Sequence, residues 1–258
     1  MRVETITSAQ NPKIKTLLGL QEKSRLRKEA GLFVVEGRRE LEHCVNAGFE
    51  VDTVFYCPDI CGYVPDFPHI VDIPRHLYEK IAYREGTEGI IAEVRAKERS
   101  LDTLKLSENP LVMVLEGVEK PGNLGAVLRS ADAAGADAVL ICDPLTDLYN
   151  PNLIRASIGA VFTTQVVCCR SDEAIGWLKR NNIQIFTAQL QDSSWYYDTD
   201  MKKGTAIAIG TEATGLTDIW REAADAHIRI PMLGRLDSLN ASVSAAILLF
   251  EAVRQRNS

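Results

Sequence analysis

At ~150 residues per domain, a chain of 258 residues makes one large domain or two ordinary ones, either able to bury a real core. With 46% hydrophobic and 25% charged residues, 17 Gly and 10 Pro, it has a globular composition, which excludes disorder as the main state. No apolar run approaches the ~20 residues of a bilayer span, and the amino terminus MRVETITSAQNPKIK lacks a signal-peptide core. A cytoplasmic protein with no membrane partner is expected, its six cysteines (Cys44, Cys57, Cys61, Cys142, Cys168, Cys169) reduced.

The net charge of −6 is unevenly spread. Residues 1–40 hold nine Lys/Arg against five Glu, a local +4, and the remainder carries −10. A nucleic acid responds to a local basic surface rather than to total charge, so this segment reads either as a solvated helix face or as a contact for an anionic partner.

In chain order, residues 10–30 predict one basic helix with Ile14, Leu17, Leu18 and Leu20 on its apolar side. A strand (Phe33 to Val35), a helix (Arg38 to Ala47) and a strand (Val51 to Tyr56) follow, then a loop containing Pro58, Pro65 and Pro68. A strand near Ile70 to Ile73, a helix from Arg75 to Tyr83 and a strand near Gly89 to Val94 complete a first α/β domain, 1–97. The polar stretch AKERSLDTLKLSENP predicts a linker over 98–109. A second domain, 110–258, restarts the alternation with strand Leu111–Leu115, helix Asn123–Ala134, strand Ala138–Ile141, helix Asn152–Ile158 and strand Thr164–Val167. Helix Asp172–Arg180, strands Ile183–Ala188 and Thr205–Ile209, a short helix after Gly215, strand Ile228–Pro231 and a final helix Leu239–Gln255 end it. Strands as continuously apolar as VMVLEGV and TAIAIG are those of a parallel sheet covered on both faces.

Three glycine-containing segments fall where strands give way to helices, the place where open parallel sheets bind ligands. In the first, Gly117-x-x-x-x-Gly122 imitates a P-loop, but Asn123 and Leu124 replace the required Lys and Ser/Thr, and no Gly-x-Gly-x-x-Gly is present. An NTPase and a conventional dinucleotide fold are thereby disfavoured. The segment instead offers Asn123 as a helix cap and Arg129 on an otherwise apolar helix. The second runs from a buried strand into Gly210-Thr211-Glu212-Ala213-Thr214-Gly215-Leu216, glycines that let a backbone turn sharply against a ligand. The third, IPMLGRLDSLNASVSAAILLF, places Ser238 as the cap of the last helix and Asn240 in its first turn. Its small residues Ala241 to Ala246 suit close helix packing or a subunit interface. His and Cys show no zinc-ligand spacing, so no metal is expected, and no Gly-x-Ser-x-Gly elbow occurs.

Taken together, Asn123-x-Gly-x-x-x-Arg129, Gly210-x-Glu212-x-x-Gly215-Leu216 and Ile230-Pro231-Met232…Ser238-Leu239-Asn240 resemble, in order and spacing, the SpoU (TrmH) family of RNA ribose 2′-O-methyltransferases, over essentially all of residues 110–258. RASIGAVF (Arg155 to Phe162) is similar to the same pattern, and TSAQNPKIKTL with FVVEG resembles the ribosomal-protein-like RNA-binding domain of many members. Thr211 and Ala213 depart from the common Asn/Ser and Gly of the second motif.

The resemblance implies an α/β fold with a parallel-sheet, trefoil-knotted carboxy-terminal domain behind a smaller α/β RNA-binding domain, a homodimer formed through the former, and S-adenosyl-L-methionine as cofactor. It implies cofactor contacts at Thr187, Ala188, Gly210, Glu212, Gly215, Ile230, Met232 and Leu239, and a catalytic neighbourhood of Arg129, Asn123, Glu212, Ser238 and Asn240. The basic Lys13, Arg25, Arg27, Lys28, Arg38 and Arg39 become RNA contacts, and ribosomal RNA the expected substrate. Transfer RNA as acceptor, and a non-catalytic RNA-binding or assembly protein, are the competing readings.

Overall fold

The computed structural model describes residues 2–83, 88–211, 213–235 and 238–258. The chain forms two compact units: Met1–Glu98 together with Tyr149–Thr163, and Arg99–Leu148 together with Thr164–Ser258.

The first unit is built on a mixed five-stranded sheet. Its strands are β1 (Arg2–Thr5), β2 (Leu32–Glu36), β3 (Val51–Tyr56), β4 (His69–Asp72) and β5 (Ile90–Arg95), in the order β1-β4-β3-β5-β2. The pairs β1–β4 and β3–β4 are parallel, whereas β3–β5 and β2–β5 are antiparallel. Strand β1 is absent from the expected elements. It is a four-residue edge strand with Val3 exposed, and only its pairing with distant β4 makes it regular.

The single helix expected over 10–30 is two helices, α1 (Pro12–Glu22) and α2 (Ser24–Ala30), because Lys23 between them is extended at φ −112°, ψ 110°. The expected apolar side holds nonetheless: Ile14, Leu17 and Leu20 are fully buried, each side chain stabilising by about 1.5–3 kcal/mol. Helices α3 (Arg38–Asn46), α4 (Pro58–Cys61) and α5 (Arg75–Ile81) complete this part of the unit.

Helices α7 (Pro151–Ser157) and α8 (Ala160–Thr163) cluster with this unit, although the sequence reading keeps them within 110–258. The reason is aromatic packing. The Phe33 ring stacks on Tyr149 at 4.2 Å between centroids and on Phe162 at 5.8 Å, with Phe49 edge-on to Phe33 at 5.9 Å. Gly159, at φ +83°, lies where a Cβ would sit 3.1 Å from the His43 side chain.

The second unit carries a seven-stranded sheet. Its elements are β6 (Leu111–Glu116), α6 (Pro121–Ala133), β7 (Ala138–Cys142), β8 (Val166–Cys169), α9 (Ser171–Arg180), β9 (Gln184–Ala188), β10 (Ser194–Trp195), β11 (Thr205–Ile209), α10 (Asp218–Ala223), β12 (Ala226–Arg229) and α11 (Ala241–Arg256). All pairings in the order β10-β12-β9-β11-β6-β7-β8 are parallel. β6, β7 and β11 are buried at every position, as the unbroken apolar runs require of a sheet covered on both faces. The segment expected as a polar linker is anchored: a 3-10 turn at Leu101–Thr103 sets Leu101, Leu104 and Leu106 against this unit's core. Among the described residues no helix is long and apolar enough to cross a membrane.

Candidate active site

Loops following β9, β11 and β12, neighbours in the sheet, enclose a cavity of about 360 Å³, within the range of small-ligand pockets. Its wall after β11 can be built only with glycine. A Cβ on Gly210 would lie 2.2 Å from the backbone C and O of Gly215 and 2.4 Å from the Leu216 nitrogen. The loop closes on itself: Gly215 N–H donates to the Thr211 carbonyl at 3.0 Å, and Thr214 N–H to the Thr211 hydroxyl at 3.0 Å. Thr211, a departure from the common motif, thus uses its hydroxyl as a loop clasp, and Gly215 turns the chain at φ +69°. Glu212 lies outside the described residues.

The far end of this loop is tied down by a residue that motif reasoning misses. Buried Glu116 ends β6 and accepts hydrogen bonds from Thr217 N–H at 2.8 Å, the Thr217 hydroxyl at 2.5 Å and the Ser171 hydroxyl at 3.3 Å. Trp220 Nε1 donates to the same Ser171 oxygen at 2.9 Å. A carboxylate terminating an otherwise apolar strand was the available signal. Beside it, Cys142 and Cys169 approach to 3.9 Å between sulfurs; this hydrogen bond and burial push the Cys142 thiol well above its ordinary range, so it stays protonated.

Of the expected cofactor contacts, Ala188, Gly210, Gly215, Ile230, Met232 and Leu239 line the cavity. Thr187 does not. It is fully buried behind the wall, its hydroxyl 2.6 Å from His227 Nδ1 on the paired strand, because side chains alternate along a strand. Side chains the motifs did not single out complete the lining, among them Gln189, Arg221 and Arg229. Gln189 Oε1, Arg221 Nε and Arg229 Nε are buried without a hydrogen-bond partner among the described residues. A buried polar atom left unpaired costs about 1–3 kcal/mol, so these three lining residues carry an unmet polar demand that a polar ligand could satisfy.

The third segment meets the first. Asn240 Nδ2 donates to Asn123 Oδ1 at 3.1 Å, joining residues 117 positions apart. Their helix positions differ from expectation. Asn240, not Ser238, is the N-cap of α11, its Oδ1 accepting from Ser242 N–H at 3.0 Å and the Ser242 hydroxyl at 2.6 Å. Asn123 is the third residue of α6 rather than its cap, because Pro121 takes the first helical position and Lys120 the cap. Ser238 and Leu239 are exposed where they line the cavity. Arg129 stands exposed on α6, outside the cavity lining, with no hydrogen-bond or ion-pair partner among the described residues.

The six expected RNA contacts divide. Arg27 is buried at 4% exposure, and its Nη1 donates to the Leu20 carbonyl at 2.6 Å and the Gln21 carbonyl at 3.2 Å. It satisfies the end of α1 and is withdrawn as an RNA contact. Lys13 pairs with Glu4, Arg25 with Glu29 at 2.6 Å, and Arg38 with Glu42 at 2.9 Å. Lys28 and Arg39 are exposed and without a partner among the described residues. No group of three or more His, Cys, Asp or Glu suited to a metal ion occurs among the described residues.

The comparisons agree with this geometry over both units. Residues 110–250 match the SpoU rRNA Methylase family and residues 11–92 the MRM3-like substrate binding domain. The chain is similar to the 23S rRNA (uridine(2479)-2′-O)-methyltransferase of Streptomyces viridochromogenes, 31% identical over 93% of this chain and 88% of the relative. It is also similar to the 23S rRNA (guanosine(2553)-2′-O)-methyltransferase RlmP of Bacillus subtilis (strain 168), 27% identical over 96% and 98% of the two chains. Among solved structures, an AdoMet-bound rRNA methyltransferase from Sinorhizobium meliloti superposes with a TM-score of 0.89, 28% identical over 98% of each chain. With a family match covering more than half its length and a relative aligned nearly end to end, the chain whose Gly210 loop walls this cavity and whose Asn123 and Asn240 are hydrogen-bonded belongs to the SpoU rRNA methylase family.

Proposed function

We propose that this protein transfers a methyl group from S-adenosyl-L-methionine to a ribose 2′-hydroxyl of ribosomal RNA. The observation that carries the reading is the Asn123–Asn240 hydrogen bond at 3.1 Å, which brings the first and third motifs together beside a cavity that the second motif walls. The cavity fits the cofactor on its own chemistry: Gln189 Oε1, Arg221 Nε and Arg229 Nε, unpartnered among the described residues, suit its polar groups, and Gly210 brings bare backbone to the wall. Ala188, Gly210, Gly215, Ile230, Met232 and Leu239 would hold it. When bound, S-adenosyl-L-methionine supplies an electrophilic methyl group on a sulfonium.

The remaining work falls to the chain's own residues. Alignment of acceptor and donor supplies much of the acceleration, and Asn123, Ser238 and Asn240 orient the ribose by hydrogen bonds. The Arg129 guanidinium, without a hydrogen-bond or ion-pair partner among the described residues, holds the neighbouring RNA phosphate and favours alkoxide character at the attacking oxygen. Glu212 organises the loop after β11. Lys13, Arg25, Lys28, Arg38 and Arg39 contact RNA backbone; where they are ion-paired, phosphate replaces the carboxylate.

The reading includes a homodimer through the carboxy-terminal unit, supported by exposed Val243 and Phe250 seven residues apart on α11, and a trefoil knot in that unit, supported by family membership. Its domain assignment is RNA binding over 1–97 and methyl transfer over 110–258, and its place of action is the cytoplasm. Calorimetry with S-adenosyl-L-methionine, followed by mapping of ribose methylation on rRNA incubated with the enzyme and labelled donor, tests it. Donor binding and one or a few new 2′-O-methyl positions are expected; absence of donor binding overturns the proposal.

A further inference from the structure

Strand β10 is only two residues long, and it extends the sheet by setting Ser194 opposite Ile228 and Trp195 opposite Arg229. That register lays the Arg229 guanidinium over the indole, 4.4 Å from the ring centroid. The Tyr197 ring stacks near Trp195, with centroids 6.4 Å apart and planes at 24°, and Tyr196 meets Tyr197 edge-on at 5.1 Å. Trp195 and Tyr197 leave 37% and 48% of their surface in water, whereas Trp177 and Trp220 leave 5% and 0%. Two exposed, stacked aromatic rings forgo burial free energy that their sequence neighbours do not recover.

Arg229 links the rings to the cavity. Its side chain lines the wall, and its Nε is one of the buried donors without a partner among the described residues. Any RNA whose ribose reaches this cavity carries the adjoining nucleotides past its rim. In the segment around the rings, Asp192, Asp198 and Asp200 offset Lys202, Lys203 and Arg229, so the surface offers ring faces rather than net positive charge.

We propose that Trp195 and Tyr197, backed by Arg229, form a stacking platform for an unpaired base of the RNA next to the methylated nucleotide. The proposal rests on the reading of the cavity as the methyl-transfer site, and it adds a positioning element outside the three motifs. An aromatic face accepts any base, and such stacking is a recurrent means of holding single-stranded RNA. The platform therefore sets the path and depth of the strand rather than its sequence, and it acts without releasing counterions.

Trp195 provides the signal for the test, since the other two tryptophans are buried. A single-stranded oligoribonucleotide of about 12 nucleotides, titrated into the full-length protein, is expected to quench tryptophan emission, and W195F is expected to abolish that quenching. W195A is expected to weaken oligonucleotide binding and raise the KM for rRNA by about 5- to 100-fold, with the slope of affinity against salt unchanged. W195F retains a ring and restores most of the affinity, and Y197A gives a smaller loss. Calorimetric affinity for S-adenosylhomocysteine is expected to be the same in W195A and wild type. The platform is overturned if W195A binds oligonucleotide and turns over rRNA as wild type does, or if it loses S-adenosylhomocysteine affinity. Sedimentation as a smaller assembly than wild type also overturns it and makes the rings an interface with a second copy. The quenching arm needs no donor, so failure of wild type to bind S-adenosylhomocysteine counts against the methyl-transfer reading and leaves the platform to be judged by quenching.

Discussion

Polar groups at the cavity and along the basic amino-terminal segment are in opposite states. In the cavity wall, Gln189 Oε1, Arg221 Nε and Arg229 Nε are buried and unsatisfied among the described residues. Along the amino-terminal helices, Lys13, Arg25 and Arg38 are exposed and each already holds a carboxylate. Orphaned buried atoms are expensive, and at a cavity wall a ligand can complete them, whereas an exposed ion pair is worth about 0–1 kcal/mol and exchanges readily. The local +4 is therefore a poorer guide to binding than its count suggests, and Arg27, buried on the carbonyls ending α1, shows that one of its charges serves folding.

The sharpest way to break this contrast is at Gly210. Gly210→Ala forces a Cβ to within 2.2 Å of Gly215 backbone, an overlap that rigid backbone cannot relieve and that costs about 1–3 kcal/mol or more. Donor binding by calorimetry is expected to vanish, while the amino-terminal unit stays folded by circular dichroism. Arg129→Ala comes next: methylation is expected to fall about 10²–10³-fold, the size of losing one preorganised electrostatic contact, with an unchanged melting temperature because the side chain is exposed and partner-free among the described residues. Arg129→Lys keeps the charge and loses the fork, and an intermediate rate is expected; wild-type rates in both variants would remove Arg129 from the mechanism.

Arg27→Ala and Arg39→Ala separate structural from binding cations in the same segment. Arg27→Ala is expected to destabilise by about 1.5–3 kcal/mol, measured by urea unfolding, because hydrogen bonds from a charged group to buried carbonyls are lost. Arg39→Ala is expected to leave stability unchanged and to reduce the salt slope of RNA binding by about one.

A smaller effect concerns Glu93, on β5 of the first unit. Burial, assisted by nearby Asp52, pushes its carboxyl up to about 7, and its Oε1 has no hydrogen-bond partner among the described residues. An unfolded glutamate ionises near 4.3. Between that pH and about 7 the folded state holds the extra proton, so stability falls as pH rises through this window and is flat above it. Thermal melts at pH 5 and pH 8 are expected to show the loss, and Glu93→Gln to remove the pH dependence and stabilise by about 1–3 kcal/mol at pH 8.

Much of this architecture was legible locally. The apolar runs Leu111–Leu115 and Thr205–Ile209 declare buried parallel strands, and the spacing of Ile14, Leu17 and Leu20 declares a buried helix face; both signals are properties of neighbouring residues. The second and third motifs marked two of the loops that enclose the cavity, the former because glycine at a close backbone approach, as at Gly210, leaves a trace in the sequence itself. Contacts made across the fold left no such trace. The Asn123–Asn240 bond, the Glu116 anchor under Thr217, the burial of Thr187 against His227 and the assembly of Gln189, Arg221 and Arg229 around one cavity all join residues far apart in the chain. Composition and periodicity thus determined which segments fold as strands and helices. Only tertiary structure decided which polar atoms find partners, because satisfaction of a buried group depends on what packing brings to it rather than on what precedes it in the chain.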